Sequence, residues 1–292
     1  MKKQAVPHPF VKWAGGKGQL IDRLQARMPK DYKDYIEPFV GGGAMFLSLA
    51  EQGEFDGKRV VINDVNEALI ATYRCVRDDV DELVDGISKL DAGLSTDKEQ
   101  VKAYYYEQRV EFNKYLEARE YGVESSALFI WVNKHAFNGL YRLNRKGLYN
   151  VPWSQSIRPC LDEENLRAIS EVLKTVDIEQ GDFADIALSA KTGDFVFLDS
   201  PYVPVKVDSF TDYTADGFTY EDHVRLAETY RELADRGVYV METNHNVDLI
   251  YELYDGFDIE VVDVKRMINS DASKRTGQEV IITNYDKGTE VE

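Results

Sequence analysis

The chain has 292 residues, of which 43% are hydrophobic, 30% charged and 12% aromatic, and its formal net charge is −17 at pH 7. That length supports a sizeable core in two domains, or in one domain with an insertion. The aromatic content excludes a disordered chain, and no apolar run is long enough to span a membrane. The net acidity argues against a polyanionic partner unless the charge is unevenly spread.

In chain order, the start "MKKQAVPHPFVKWAGGKG" is basic and lacks the apolar stretch of a secretory signal. "DYIEPFVGGGAMFLSLAEQ" reads as a strand, a glycine turn and a helix. "RVVINDVNEALIATYRCV" reads as a strand over Arg59–Asn63 and a helix from about Asn66. This β-α-β-α pattern predicts a parallel sheet. From Ala71 to Leu173 helices dominate. One begins with a capping box of Thr96 and Glu99, and "SSALFIWVNKHAF" is a more buried helix. "NGLYRLNRKGLYNVPW" alternates around turn residues and predicts a hairpin over Asn138–Pro152. Strands resume at "TVDIEQGDF", "GDFVFLDSPY", "VYVMETN", "FDIEVVDVKR" and "QEVIITNY". Only a loop joins the last two, so they are expected to pair antiparallel. The expectation is an open α/β sheet interrupted after its second strand by a mostly helical insertion. The sheet domain then takes residues 1–70 and 174–292, and the insertion takes 71–173.

The charge is uneven. Between Glu124 and Asp162 lie 37 residues without an acid, holding Lys134, Arg142, Arg145, Lys146 and Arg158. At this acid content such a window arises by chance roughly once in a thousand. Lys2, Lys3, Lys12 and Lys17 also precede the first acid, Asp22. These two segments predict a cationic face on an acidic body.

Four segments carry candidate chemistry. The glycines of "EPFVGGGAMF" stand between a strand and a helix, where backbone N–H groups meet a ligand. A plain tight turn explains them equally well. Asp64, 21 residues after Gly43 at the next strand end, favours a bound ribose. A dinucleotide and S-adenosylmethionine (SAM) both remain open, although the G-x-G-x-x-G spacing is missing. "DSPY", Asp199 to Tyr202, follows the apolar strand "DFVFL". An acid, a backbone carbonyl and an aromatic there suit an amino group on a flat ring. "FVKWAGGKGQL" places Trp13 and Lys17 around two glycines. In the hairpin, Arg142 lies among Leu140, Tyr141 and Leu143, a pattern suited to a nucleic-acid groove. His8, His135, His223 and His245 show no ligand spacing, and Cys75 and Cys160 show no metal or disulfide pattern.

The ordered series "FVKWAGGK", "EPFVGGGAMF", "INDVNEALI", "FNGLYRLNRKGLYNVPW", "GDF", "DSPY", a Phe-Thr-x-Tyr segment at 210–213 and "IITNY" resembles the Dam family of DNA adenine methyltransferases over nearly the whole chain. The resemblance implies a SAM-dependent, Rossmann-like methyltransferase fold with an antiparallel last strand and a target-recognition insertion. It implies SAM contacts from Trp13, Lys17, Glu37, Phe39, Gly41, Gly43, Asp64, Asp182, Phe183 and Asp199. Asp199, Ser200, Pro201 and Tyr202 match the family's Asp-Pro-Pro-Tyr catalytic motif, with Ser200 in place of the first proline and a less rigid turn expected. Lys12, Asn138, Leu140, Arg142, Arg145, Lys146 and Pro152 match DNA-contacting positions. The partner implied is double-stranded DNA, in a GATC or related site, with no metal and no membrane. A cytoplasmic monomer is expected, with a dimer on DNA as the other state. The alternative is a catalytically inactive DNA-binding protein of the same fold.

Overall fold

A computed structural model describes residues 5–13, 18, 20–205, 217–265 and 276–286. The described chain divides into two compact units, one of residues 1–16, 41–54 and 64–180, the other of 17–40, 55–63 and 181–292.

The helical part of the first unit comprises α2 (Ala44–Glu51), α3 (Glu67–Asp78), α4 (Val80–Ala92), α5 (Lys98–Ala118), α6 (Val123–His135) and α7 (Glu163–Leu173). Burial explains α6. Its residues from Ser125 to Asn133 are all buried, so it forms a core rod packed by α3, α4 and α5. Helix α7 shows one apolar stripe instead. In α7, Leu166, Ile169 and Leu173 are buried, while Glu163, Glu164 and Arg167 face water. Helix α5 is capped by Asp97, whose side chain accepts from the N–H groups of Glu99 and Gln100. The expected Thr96–Glu99 box is therefore displaced by one residue. Ser95, Thr96 and Asp97 are all good caps, and the carboxylate wins because it accepts two bonds.

The strands are β1 (Tyr35–Glu37), β2 (Val60–Asp64), β3 (Val176–Gln180), β4 (Phe195–Leu198), β5 (Tyr239–His245), β6 (Asp258–Lys265) and β7 (Thr276–Thr283). They run in the order β3-β2-β1-β4-β5-β7-β6. Strand β1 pairs parallel with β2 and β4, and β4 pairs parallel with β5. Strand β7 is antiparallel to both β5 and β6, as expected for the last pair. The chain winds one way from β1 to β3, then restarts at β4 on the other side of β1. The carboxyl ends of β1 and β4 therefore flank a topological switch point, where open α/β sheets bind ligands. Strand β4, Phe-Val-Phe-Leu, is buried throughout because helices or strands cover both faces. Ile36, Val196, Leu198, Val240 and Ile282 join Leu226, Tyr230 and Leu233 of α9 (Tyr220–Asp235) in one core. The strand order and directions are those of the open, mostly parallel α/β sheet with an antiparallel last pair that the strand pattern predicts.

Candidate active site

In the first unit the glycine turn is built by close packing. Gly41 and Gly43 have φ of +48° and +73°, which disfavours any side chain. A Cβ on Gly41 meets the Trp13 ring at 2.7 Å, and one on Gly43 meets the Tyr73 hydroxyl at 2.6 Å. Tyr73 also donates to the Gly41 carbonyl (3.0 Å), and the Asp64 carboxylate accepts from the N–H groups of Gly41 (3.1 Å) and Asn66 (2.9 Å). Asp64 thus ties the turn to the start of α3. Burial pushes its pKa up against the pull of these backbone bonds. Each carboxylate oxygen accepts more than one bond, so a ribose hydroxyl can share them. Next to it stands Val65, 73% exposed.

The same unit holds the 138–152 segment. It is hairpin-shaped, but two isolated antiparallel bridges, Ala136–Trp153 and Leu143–Tyr149, replace the expected ladder. Side chains take over from the backbone. The Asn144 side chain accepts from the N–H groups of Lys146 (2.8 Å) and Leu148 (3.2 Å), and Asn113 accepts from the Tyr149 N–H (2.8 Å). Asn138 takes a left-handed φ of +55° and is exposed with Pro152, Arg142, Arg145 and Lys146; Leu140 is half-buried. The Arg142 Nε donates to Asn150 (2.9 Å), which aims the guanidinium. Asn133 binds both the Lys12 backbone (2.8 and 3.0 Å) and the Gly139 carbonyl (2.9 Å), bringing Lys12 to the hairpin base. Tyr141 stacks on Trp13 at 5.4 Å between centroids. Sequence reasoning missed this contact, and it also missed Phe137, an aromatic 51% exposed at the hairpin entrance. Exposure is the signal for Phe137, and it is not readable from composition.

In the second unit, β1 ends on Glu37, buried and accepting from the Tyr35 hydroxyl (2.7 Å). Phe39 stacks on Phe183 (5.2 Å between centroids), and Phe218 packs against both. Asp182 caps α8 (Phe183–Ala187) and is gripped by two Arg225 nitrogens at 2.7 and 2.9 Å. The Arg225 pairing holds its carboxyl below the usual range. Asn63 donates to the carbonyls of Pro38 (2.9 Å) and Gly181 (3.2 Å), joining the loops after β1 and β3.

Strand β4 delivers Asp199, Ser200, Pro201 and Tyr202 to the switch point. Ser200 is buried, and its hydroxyl donates to the Pro201 carbonyl (3.4 Å). Asp199 accepts from the Thr243 hydroxyl at 2.8 Å, and the Tyr202 hydroxyl donates to Glu279 at 3.0 Å. Lys17 and the Phe-Thr-x-Tyr segment at 210–213 lie outside the described residues. Among the described residues no group of three or more His, Cys, Asp or Glu side chains is placed to hold a metal ion. No described helix is long and apolar enough to cross a membrane.

Residues 13–268 match the family model described as D12 class N6 adenine-specific DNA methyltransferase. The chain is 44% identical to the type II methyltransferase M.MjaIII of Methanocaldococcus jannaschii, covering 95% of this chain and 99% of that one. It is 38% identical to the type II methyltransferase M1.LlaDCHI of Lactococcus lactis subsp. cremoris, covering 95% of each. It is 32% identical to a DNA adenine methylase of Escherichia coli, covering 96% of this chain and 95% of that one. With a family model spanning most of its length and relatives matched end to end, the chain belongs to the D12 class of N6 adenine-specific DNA methyltransferases.

Proposed function

We propose that the chain methylates adenine N6 in duplex DNA at a GATC-type site, acting on a base flipped out of the stack. The observation that carries this reading is the position of Asp199 at the end of β4, beside the end of β1 at the switch point. An adenine inside a duplex hides its amino group, so the base must leave the helix to meet such a loop. The Asp199 carboxylate and the Ser200 carbonyl accept the two N6 hydrogens, and the Tyr202 ring packs on the base. With both hydrogens held, the nitrogen lone pair points out of the ring plane toward its electrophile. Fixed acceptors of this kind act by alignment and preorganised electrostatics.

SAM, when bound, would supply the electrophilic methyl group, and the products alongside N6-methyladenine would be S-adenosylhomocysteine and one proton from N6. The glycine cradle fits it. Bare backbone at Gly41–Gly43 and the Asp64 carboxylate suit the methionine part and the ribose, with Trp13 beside them. Phe39 and Phe183, with Asp182 held by Arg225, suit the adenine of SAM. Glu37 shapes the end of β1, and Lys17 completes the set by family pattern.

The segment 71–173 is the target-recognition domain in this reading. Lys12, Asn138, Leu140, Arg142 and Pro152 read base edges, Arg145 and Lys146 hold phosphates, and Phe137 supplies an apolar wedge. The test is direct. The purified protein is incubated with SAM and duplex DNA of mixed sequence, and modified bases are mapped by sequencing. N6-methyladenine confined to one short motif is expected, and GATC is the motif expected first. Binding of duplex without any methylated base points instead to an inactive DNA-binding protein.

A further inference from the structure

The proposed reaction depends on where the Asp199 carboxylate and the Tyr202 ring point. Ser200 stands in their loop where the family pattern has a proline that would stiffen the turn. The strand register brings in two further constraints. Leu198 lies opposite Glu242 in the parallel β4–β5 pair, which sets Asp199 beside Thr243. His245 lies opposite Glu279 in the antiparallel β5–β7 pair, which sets the β7 carboxylate beside the tyrosine. We propose that Thr243 and Glu279 are positioning residues for methyl transfer, fixing from β5 and β7 the two side chains of the Asp199–Tyr202 loop that meet the base. This inference rests on the methyltransferase reading above.

Thr243 is buried, and its hydroxyl donates to Oδ1 of Asp199 at 2.8 Å. One carboxylate oxygen is therefore pinned, and with it the plane of the group. Tyr202 donates to Oε2 of Glu279 at 3.0 Å. Burial, with the carboxylates of Asp199 and Glu279 nearby, raises the tyrosine pKa, so the hydroxyl stays protonated and remains a donor. The ring also meets His245 edge to face at 4.9 Å and 76°. Just beyond, Asn244 accepts from the Val203 N–H (2.9 Å), and the His245 Nδ1–H donates to the Val203 carbonyl (2.7 Å). Both sides of the loop exit are thus held by β5. Neighbouring strands supply the rigidity that a proline gives a turn, so a serine at 200 is tolerated.

The experiment compares single-turnover methylation rates with SAM and DNA affinities in the intact protein. Thr243→Val removes the hydroxyl at constant shape. Its rate is expected to fall by at least about tenfold while both affinities stay within about twofold of wild type. Thr243→Ser restores the hydroxyl and most of the rate. Glu279→Ala and Tyr202→Phe each slow the reaction, and the double variant is no slower than the worse single one, because both remove the same bond. Glu279→Gln keeps an acceptor and stays close to wild type. Adding Ser200→Pro to Thr243→Val recovers part of the loss. If Thr243→Val turns over at the wild-type rate, or if Thr243→Ser is as slow as Thr243→Val, the assignment to Thr243 fails. If a thermal melt shows that Thr243→Val does not fold, the Glu279 and Tyr202 series decides, and additive losses there overturn the inference. A wild-type protein that makes no N6-methyladenine overturns the methyltransferase reading itself, whereas normal wild-type activity with unaffected variants overturns only the positioning role.

Discussion

Trp13, beside the glycine turn and the 138–152 segment, is held by ring faces. Trp13 lies on the bare glycine backbone and under Tyr141, and Phe129 stacks on its ring at 6.3 Å. At Asp199–Val203 the opposite holds. Asp199, Tyr202 and Val203 are each held by directed hydrogen bonds to β5 or β7. Ring faces tolerate small slides and rotations at little cost, whereas a hydrogen bond weakens steeply with angle. The first arrangement suits a surface that must settle onto a long polymer. The second suits chemistry in which a misplacement of about 1 Å can cost a hundredfold in rate.

The largest effect expected from this contrast is at Asp199. Asp199→Ala should lower the single-turnover rate by on the order of a thousandfold or more, while duplex affinity in a filter-binding assay stays near wild type. Near-normal turnover would remove the strand-end loop from the chemistry.

A second effect separates the regions by pH. Glu242 on β5 is fully buried, and burial pushes its pKa up to about 8. A carboxyl with a raised folded-state pKa favours the folded state while protonated. Its contribution is complete below the unfolded value of 4.5, then lost as pH rises from there to about 8. Glu242→Gln should therefore flatten the fall in stability across that range, by a few kcal/mol in order of magnitude. Urea titrations at pH 5 and pH 8.5 provide the comparison. A variant whose stability falls as steeply as wild type assigns the slope to another group.

The third concerns Asp64, a polar group set among faces. Asp64→Ala should weaken SAM binding in calorimetry by roughly 1.5–3 kcal/mol, since charge-assisted bonds are the strong ones. Asp64→Asn, which keeps an acceptor, should lose less. Equal affinity in both variants would leave Asp64 a tie for the glycine turn alone.

Within the cationic segment, Arg142→Ala should cost about 1–3 kcal/mol on the preferred site and little on others, relaxing one base pair of specificity. Lys146→Ala should weaken every duplex alike and reduce the salt slope by about one unit. Methylation rates on single-base variants at two salt concentrations distinguish the roles. The smallest effect is at the stack itself. Tyr141→Leu should lower stability by about 0.5–1.5 kcal/mol beyond its lost area and weaken SAM and duplex binding together. Loss of only one of the two would mean that Trp13 and the hairpin respond independently.

What was legible in the sequence follows the same contrast. The glycine turn, Asp64 and the Asp199–Tyr202 loop announce themselves locally, as residue types at a strand end. The alternation of strands and helices likewise carries the sheet and its helical interruption. Thr243 and Glu279 were not legible, because their role depends on which strands become neighbours. Strand β4 meets β5 across a helix, and β7 inserts between β5 and β6. The hairpin was legible as a reversal but not as two isolated bridges, since Asn144 and Asn113 replace ladder bonds with side-chain bonds. The cap of α5 moved one residue because three adjacent residues compete for it.

The turn at Asn144–Gly147 closes on itself. Asn144 N–H donates to the Leu148 carbonyl and Gly147 N–H to the Asn144 carbonyl, while the Asn144 side chain holds Lys146 and Leu148. No base-reading candidate lies within this closure; the Arg145 and Lys146 side chains in the turn, and Arg142 just before it, are exposed. In the reading proposed above the tip reads DNA, and its outward side chains can be changed without touching the bonds that close the turn. A library randomised at Arg142, Leu143, Arg145 and Lys146, with Asn144 and Gly147 kept, should stay folded in most members. It offers a short route by which selection, in nature or in a tube, can retarget the protein to a new word of DNA.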